Sequence, residues 1–336
     1  MCIRDREKTI PLILEGKDVV GTSATGSGKT LAFGSGIIEK VQKSKGIQSL
    51  ILTPTRELAE QIALELKKFS KHKKLFIKEI FGGVSLIPQI EELKKSEIVV
   101  GTPGRILDHL SRGTINLKHL KILVLDEADR MLEMGFIEDV EKIINNCPKQ
   151  RQTLLFSATM PYIIKKLAKK YTKHSAYIEA ESQVDPSKLH QSLYDVPSNL
   201  KFSMLVHLLK NENSKLTMVF VNTRNSADII TENLNKNGIK ALSIHGGLNQ
   251  NKRSSNLKEF HSKDKLILVC TDVAARGLDI KGVSHIYNLG SPKTLNDYIH
   301  RIGRTARAGK EGKAISIISE KDYDYFRKIY ESSFLN

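Results

Sequence analysis

The chain has few cysteines, no long apolar run and fewer acidic than basic residues. Its 336 residues include three cysteines, Cys2, Cys147 and Cys270, which are odd in number and far apart. A disulfide scaffold is therefore not expected, and no Cys/His cluster has the spacing of zinc ligands. No apolar run approaches the ~20 residues that span a bilayer, and the charged first residues do not resemble a signal peptide. These absences favour a cytoplasmic protein.

The shortage of acids leaves a strongly basic chain. Fifty-three Lys and Arg stand against 37 Asp and Glu, a formal net charge of +16. Such a field attracts polyanions, and nucleic acid is the commonest polyanion that a soluble basic protein meets. The alternative is a lysine-rich proteome in which every surface is basic. The 40% hydrophobic and 27% charged residues are ordinary for a globular protein, and the length predicts two domains.

Short Val/Ile/Leu-rich runs alternate with stretches of helical period such as Glu57–Phe69. We predict buried parallel strands at Val19–Gly21, Leu50–Pro54, Ile98–Gly101, Ile122–Asp126 and Thr153–Ser157, then at Leu216–Val221, Ala241–His245, Leu266–Cys270, Val283–Asn288 and Ala314–Ile318. The polar run Glu179–Asp185 separates the two series. The pattern predicts two α/β domains, 1–180 and 189–336, joined by a linker at 181–188.

A glycine-rich loop follows the first predicted strand and opens a helix. The segment Ser23–Thr30 departs from the phosphate-loop pattern only in carrying Ser23 where the pattern has its first glycine. Its backbone N–H groups and the helix N-terminus can surround phosphate oxygens. Lys29 can reach the β- and γ-phosphates of ATP, and the Thr30 hydroxyl can bind Mg²⁺. We predict that the nucleotide contacts are Thr25, Gly26, Ser27, Gly28, Lys29 and Thr30. The alternative is an ordinary Gly-Ser turn with a solvated lysine.

An acidic tetrapeptide lies at the end of a later predicted strand. Asp126 directly follows Leu123–Leu125, at a carboxyl end where α/β sheets bind ligands. There Asp126 can hold Mg²⁺, largely through water, and Glu127 can polarise an attacking water. Taken alone, such a cluster is as well explained by a helix N-cap and a first turn favoured by the helix dipole.

The string Asp-Glu-Ala-Asp at 126–129 resembles the DEAD-box family of ATP-dependent RNA helicases, with motifs in family order from about Gly16 to Gly309. The resemblance implies a bacterial-like core of two tandem RecA-like domains. It further implies ATP and Mg²⁺ as cofactors, RNA as a partner gripped without regard to base sequence, local duplex unwinding, and a monomer.

The resemblance also places RNA contacts at several strand ends. The residues that match the family's RNA-gripping motifs are Pro54, Thr55, Arg56, Gly82, Gly83, Thr102, Pro103, Gly104 and Arg105 in the first domain, and Asn222, Thr223, Arg224, Thr271 and Asp272 in the second. Hydroxyls and guanidinium groups suit phosphate oxygens, and glycines allow a close backbone approach. The alternative for each motif alone is a turn that happens to carry Arg or Gly.

Further motifs imply nucleotide and coupling residues. Gly277 and Asp279 match the family's ribose-contacting motif, and the residues that match coupling positions are Asp129, Ser157, Thr159 and His300. Arg304 and Arg307 belong to the stretch His300–Gly309, which resembles the family's motif VI. They lie three residues apart, which predicts that both lie on one face of a helical turn and reach one anion. With Lys29, Asp126 and Glu127, they complete the predicted catalytic set. The alternatives are hydroxyls that cap the next helix and a solvated basic helix face.

Because the phosphate loop and the acids lie in one domain and the arginines in the other, we expect hydrolysis to require domain closure. The family's upstream glutamine segment has no counterpart, and the match begins only near Thr9, so we expect a truncated N-terminus with foreign residues before it. Three alternatives remain: a DNA-directed translocase of the same superfamily, a non-catalytic RNA clamp without adenine recognition, and a phosphate-loop NTPase that acts on protein partners.

Overall fold

The computed structural model describes residues 3–22, 28–179, 188–275, 280, 282–306 and 311–327. The chain divides into two compact units, Met1–Ser182 and Gln183–Asn336. The predicted linker at 181–188 lies outside the described residues except for Lys188. No helix within the described ranges is both long enough and apolar enough to cross a membrane.

The first unit is a seven-stranded parallel sheet with helices on both faces. Its strands are β1 (Val19–Thr22), β2 (Ser49–Leu52), β3 (Ile77–Ile80), β4 (Ile98–Gly101), β5 (Ile122–Leu125), β6 (Gln152–Ser157) and β7 (Ala176–Glu179), in the order β3-β4-β2-β5-β6-β1-β7. Its helices are α1 (Ile3–Leu14), α2 (Lys29–Lys40), α3 (Arg56–Phe69), α4 (Leu86–Leu93), α5 (Pro103–Ser111), α6 (Ala128–Glu133), α7 (Ile137–Asn145) and α8 (Tyr162–Tyr171).

Alternation along the central strands supplies two apolar layers. In β5, Leu123 and Leu125 pack with residues of α5 to α8, whereas Ile122 and Val124 pack with residues of α1 to α3. All four side chains are fully or almost fully buried, as expected for a parallel strand covered on both faces. The sheet is thus the middle layer of three.

The second unit is a six-stranded parallel sheet. Its strands are β8 (Leu189–Asp195), β9 (Leu216–Val221), β10 (Ala241–Ile244), β11 (Leu266–Thr271), β12 (Val283–Asn288) and β13 (Gly312–Ile318), in the order β10-β11-β9-β12-β13-β8. Its helices are α9 (Lys201–Asn211), α10 (Arg224–Lys236), α11 (Gln250–His261), α12 (Asp272–Ala275) and α13 (Leu295–Ile302). Alternate residues of β9 again enter two apolar clusters. The fold predicted for the chain, parallel sheets flanked by helices, is confirmed.

All ten predicted strands are present, and three strands were not predicted. These three, β3, β7 and β8, all lie at sheet edges. Edge strands are less buried and carry more polar residues, as in Leu189–Asp195, where most side chains are exposed. The strands predicted to reach Pro54, Asp126 and His245 end one or two residues earlier.

The two sheets share one topology. The order β3-β4-β2-β5-β6-β1 in the first unit corresponds strand for strand to β10-β11-β9-β12-β13-β8 in the second. Because every pairing is parallel, each unit presents all its strand carboxyl ends at one edge. That edge is where open α/β sheets bind ligands.

Candidate functional site

The first unit brings a lysine and a carboxylate together at its carboxyl edge. Helix α2 begins at Lys29, and the preceding Gly28 has φ +85°, a left-handed conformation that favours glycine. The Lys29 ammonium is buried and lies 3.5 Å from Oδ1 of Asp126, at the end of β5. Thr30 follows in the first helical turn and is half-buried. An ammonium group, a helix N-terminus and a carboxylate can together hold a phosphate chain and a cation.

The acidic segment that follows β5 has a strained backbone. Glu127 is buried and has φ +53°, a conformation that costs a non-glycine residue on the order of 1 kcal/mol or more. Its position is the N-cap of α6, but its side chain makes no capping hydrogen bond. The Asp126 carboxylate accepts the Glu127 N–H at 3.0 Å. Helix capping therefore does not account for the Glu127 carboxylate.

Asp129 is joined to the segment after β6. Its Oδ2 accepts hydrogen bonds from the N–H of Thr159 at 2.8 Å and from the Thr159 hydroxyl at 3.0 Å. The Asp129 N–H donates to Oγ of Ser157 at 3.0 Å, and the Ser157 hydroxyl donates to the Thr159 carbonyl at 2.7 Å. Three of the four predicted coupling residues thus form one network, whereas the fourth, His300, lies in α13 of the second unit. The hydroxyls connect two strand ends instead of capping α8.

Two arginines from different motifs meet the double glycine that follows β3. A Cβ at Gly83 would lie 2.6 Å from Cζ of Arg56, and Gly83 has φ +79°. A Cβ at Gly82 would lie 3.9 Å from Arg56 and 4.0 Å from Arg105. A side chain at position 83 would therefore displace Arg56, which is a structural reason for glycine there besides close approach of a ligand.

The predicted RNA-contacting threonines of this unit differ in their bonding. The Thr55 hydroxyl caps α3 by accepting the Leu58 N–H at 3.4 Å. Thr102, in contrast, is the N-cap of α5 and makes no capping bond through its side chain. Pro103 begins α5, and Gly104 is exposed with open space where a Cβ would stand. The start of α5 is therefore sterically open, while Pro54 is buried just before α3.

The second unit repeats the arginine and double-glycine arrangement. Thr223 caps α10 by accepting the Ser226 N–H at 3.0 Å, and a Cβ at Gly246 would lie 3.3 Å from Nη2 of Arg224. Gly247 follows, and its N–H donates to Nδ1 of His245 at 3.1 Å. In the sequence, Gly246 and Gly247 directly follow the predicted strand Ala241–His245, so this signal was available and missed.

A buried arginine connects the strand ends of this unit. Arg301 is 1% exposed, and its Nε and Nη2 donate to the two carboxylate oxygens of Asp272 at 2.6 and 2.7 Å. Its Nη1 donates to the Gly290 carbonyl at 2.5 Å, and Nη2 lies 3.5 Å from Oδ1 of Asn222. Thr271, which precedes Asp272, is buried at the end of β11. The Asp272 side chain therefore binds Arg301, which gives its predicted RNA contact no support; Arg301 itself was not singled out.

The helical geometry predicted for the motif VI arginines was wrong. Helix α13 ends at Ile302 with Gly303 as its C-cap, so Arg304 lies beyond the helix. Ala306 has φ +52°, which no right-handed helix can contain. Arg304 is buried, and its Nε donates to the carbonyl of His300 at 3.3 Å.

Several predicted nucleotide and catalytic residues fall outside the described ranges. They are Thr25, Gly26, Ser27, Gly277, Asp279 and Arg307. Their roles stay predictions from the sequence.

Comparison with known proteins identifies the family. The DEAD/DEAH box helicase family matches residues 4–167, and the helicase conserved C-terminal domain matches residues 200–309. ATP-dependent RNA helicase CshA of Listeria monocytogenes is 46% identical over 331 residues, which cover 98% of the chain and 64% of that relative. The chain thus spans just under two thirds of the length of this curated relative.

The solved structures that resemble this chain also include a DEAD box protein. A DEAD box protein from the hyperthermophile Methanococcus jannaschii is 46% identical, with a TM-score of 0.59 over 99% of this chain and 91% of that one. S. cerevisiae Dbp5 bound to RNA and ADP BeF3 is 29% identical, with a TM-score of 0.86 over 98% of this chain and 86% of that one. The chain belongs to the DEAD-box helicase family, and the family match begins at residue 4, before the first motif residues recognised near Thr9.

Proposed function

We propose that this protein is an ATP-dependent RNA helicase that couples ATP hydrolysis to RNA binding and local duplex unwinding. The observation that carries the proposal is that the predicted nucleotide residues and the predicted RNA residues of the first unit occupy different halves of one sheet edge. In the first unit, the predicted nucleotide residues follow β1 and β5, with predicted coupling residues at the end of β6 between them, and the predicted RNA residues follow the adjacent strands β3, β4 and β2. One rigid sheet therefore connects the two sets of contacts.

For the nucleotide, Lys29 and the N-terminus of α2 supply positive charge for the phosphates of ATP. Asp126 and Thr30 fit Mg²⁺, since a buried carboxylate beside an ammonium group and a nearby hydroxyl form a donor set for a phosphate-bound cation held largely through water. When bound, the cation supplies charge neutralisation at the phosphates. Glu127 orients and deprotonates the attacking water.

For RNA, Arg56 and Arg105 supply guanidinium groups that lie beside the backbone of Gly82 and Gly83. No hydrogen bond or ion pair joins the Arg56 guanidinium to the rest of the described chain, so its donors are available for phosphate oxygens. In the second unit, Arg224 lies in the equivalent position beside Gly246. Contacts of this kind bind the backbone without reading base sequence.

Hydrolysis also needs the second unit. Arg304 and Arg307 match the family's motif VI, and such arginines stabilise the charge of phosphoryl transfer by roughly 10³–10⁵ in rate. We therefore infer that neither unit hydrolyses ATP efficiently without the other. The family resemblance further supports a cytoplasmic monomer with domains 1–180 and 189–336 joined at 181–188.

The test is steady-state ATP hydrolysis with single-stranded RNA, with single-stranded DNA and without nucleic acid. We expect RNA to stimulate ATP hydrolysis and DNA not to, because only RNA carries the 2′-hydroxyl by which a protein can distinguish the two nucleic acids. Glu127→Gln keeps the side-chain size and removes the base, so it should abolish the stimulated rate. Stimulation by DNA would favour the translocase, and RNA binding without hydrolysis would favour the non-catalytic clamp.

A further inference from the structure

The double-glycine loop of the first unit is held by side chains from two helices. The carbonyl of Phe81, before the glycines, accepts a hydrogen bond from Nε2 of Gln89 at 3.0 Å. The carbonyl of Val84, after the glycines, accepts from Nη1 and Nη2 of Arg105, each at 3.2 Å. Gln89 belongs to α4 and Arg105 to α5. Both ends of the loop are therefore fixed by hydrogen bonds to its backbone.

Gln89 and Arg105 are themselves joined by a direct hydrogen bond, and a buried histidine contacts the same oxygen of Gln89. Oε1 of Gln89 accepts from Nη1 of Arg105 at 3.0 Å and lies 3.0 Å from Nε2 of His109. Gln89 is 4% exposed and His109 is 0% exposed. Below them, Nδ1 of His109 lies 2.8 Å from the hydroxyl of Thr114. The polar groups form one chain whose central members, Gln89 and His109, are buried.

The chemistry of these groups allows one consistent arrangement of protons. Because Nε2 of Gln89 donates to Phe81, its Oε1 is the acceptor that faces His109, so Nε2 of His109 must carry a hydrogen. Burial first, and then the charge of Arg105, lower the pKa of His109, so the ring is neutral near pH 7. Its Nδ1 then accepts from the Thr114 hydroxyl at 2.8 Å, and the single hydrogen of that hydroxyl is not donated to the His109 carbonyl 3.1 Å away. Each group has a partner, which is the condition under which a buried polar network fixes one geometry.

We propose that Gln89 and His109 are positioning residues for RNA binding, which hold Arg105 and the double-glycine loop in the geometry that receives the RNA backbone. Both are too buried to touch RNA themselves. They act through Val84, Phe81 and Arg105. The inference rests on the proposed function, because it needs this sheet edge to bind RNA.

A buried glutamine could instead contribute only to stability, and the chain contains a matched control for that role. Gln48 is 0% exposed and also braces a loop, since its Nε2 donates to the Gln42 carbonyl at 2.6 Å and its Oε1 accepts the Gln42 N–H at 3.1 Å. It directly precedes β2 and therefore lies at the amino edge of the same sheet, opposite the candidate site. Gln48→Leu removes a comparable network far from the strand carboxyl ends.

The experiment measures the RNA concentration that gives half-maximal stimulation of ATP hydrolysis, together with KM for ATP and Tm, for the full chain and each variant. For Gln89→Leu we expect the half-saturating RNA concentration to rise about tenfold, a loss of about 1.4 kcal/mol, with KM for ATP changed by less than about twofold. For Gln48→Leu we expect a lower Tm and an unchanged RNA requirement. Equal behaviour of the two variants would overturn the inference.

A milder variant covers the case in which Gln89→Leu does not fold. Gln89→Glu keeps an acceptor for Arg105 and His109 but cannot donate to Phe81, and we expect its RNA requirement to rise about threefold, since one of the loop's braces is lost. An RNA requirement equal to that of the wild type would overturn the inference. Absence of RNA stimulation in the wild type itself would overturn the proposed function, and this outcome is visible before any variant is compared.

Discussion

The carboxyl edges of the two sheets are alike in one half and different in the other. After β2 and after β9, a threonine caps the next helix with almost the same backbone angles, φ −130° and ψ 155° at Thr55 and φ −130° and ψ 156° at Thr223. The next residue is an arginine in each unit, and it lies against a double glycine that follows the edge strand two positions away in the sheet, β3 or β10. The half of the edge that is proposed to bind RNA therefore has the same arrangement of residues in both units.

The other half of each edge differs in charge. In the first unit it carries Lys29 after β1, and Asp126, Glu127 and Asp129 after β5, with Asp129 bound to Thr159 after β6. In the second unit Arg301 binds residues that follow β11, β9 and β12, across the boundary between the two halves, and Arg304 follows the same helix. One scaffold can thus repeat its threonine, arginine and double-glycine arrangement while the residues proposed for ATP hydrolysis differ, a lysine with acids in the first unit and Arg304 in the second.

The largest expected effect tests whether an arginine of the second unit contributes to ATP hydrolysis. Arg304→Ala should lower kcat for RNA-stimulated ATP hydrolysis by about 10³-fold or more, because it removes a guanidinium that the proposal assigns to the transferred phosphate. Arg112→Ala, which removes an exposed arginine from the first unit, is the control and should leave kcat unchanged. A loss of less than about tenfold in Arg304→Ala would show that Arg304 does not stabilise the charge of phosphoryl transfer.

The second effect concerns stability, and we expect it to differ between the units. Arg301→Ala leaves the Asp272 carboxylate without its bidentate partner and should lower the free energy of unfolding by about 3 kcal/mol, the lower end of the range for broken buried pairs. Asp129→Asn should cost only about 1 kcal/mol, since the amide can still accept from Thr159. Calorimetry of both variants measures the difference, and equal losses would contradict the contrast.

The third effect tests whether the repeated arginines are equivalent. Arg56→Gln and Arg224→Gln should each reduce the slope of log Kobs against log salt for single-stranded RNA by about 0.7, the value for one lost phosphate contact. Fluorescence anisotropy titrations at several salt concentrations give the slopes, with Arg112→Gln as the control. A change in only one of the two variants would break the proposed equivalence.

The smallest effect belongs to the two caps. Thr55→Ala and Thr223→Ala should each lower the free energy of unfolding by about 1 kcal/mol, with the larger loss at Thr223. The reason is distance, since the capping hydrogen bond is 3.0 Å at Thr223 and 3.4 Å at Thr55. Denaturant titration measures the losses, and Thr→Ser at each position should restore most of them. A larger loss at Thr55 would contradict the ranking.

Much of the fold could be predicted from local pattern. The ten predicted strands are rich in Val, Ile and Leu because parallel strands covered on both faces need apolar side chains on both faces. The edge strands β3, β7 and β8 were missed because strands at a sheet's edge tolerate polar residues, as in Ile77–Ile80. The candidate residues around Lys29 and Asp126 could also be predicted, because a phosphate site formed by one turn is encoded by consecutive residues.

The sequence by itself determined the class of fold, the order of the motifs and the residue types available at each strand end. Only the tertiary structure decided which of these residues are in contact: Arg56 with Gly83, Asp129 with Thr159, Arg301 with Asp272, and Gln89 with His109. Each of these pairs joins residues from different elements of the chain. Such contacts follow from strand order and helix packing, which periodicity and motif spacing along the chain do not contain.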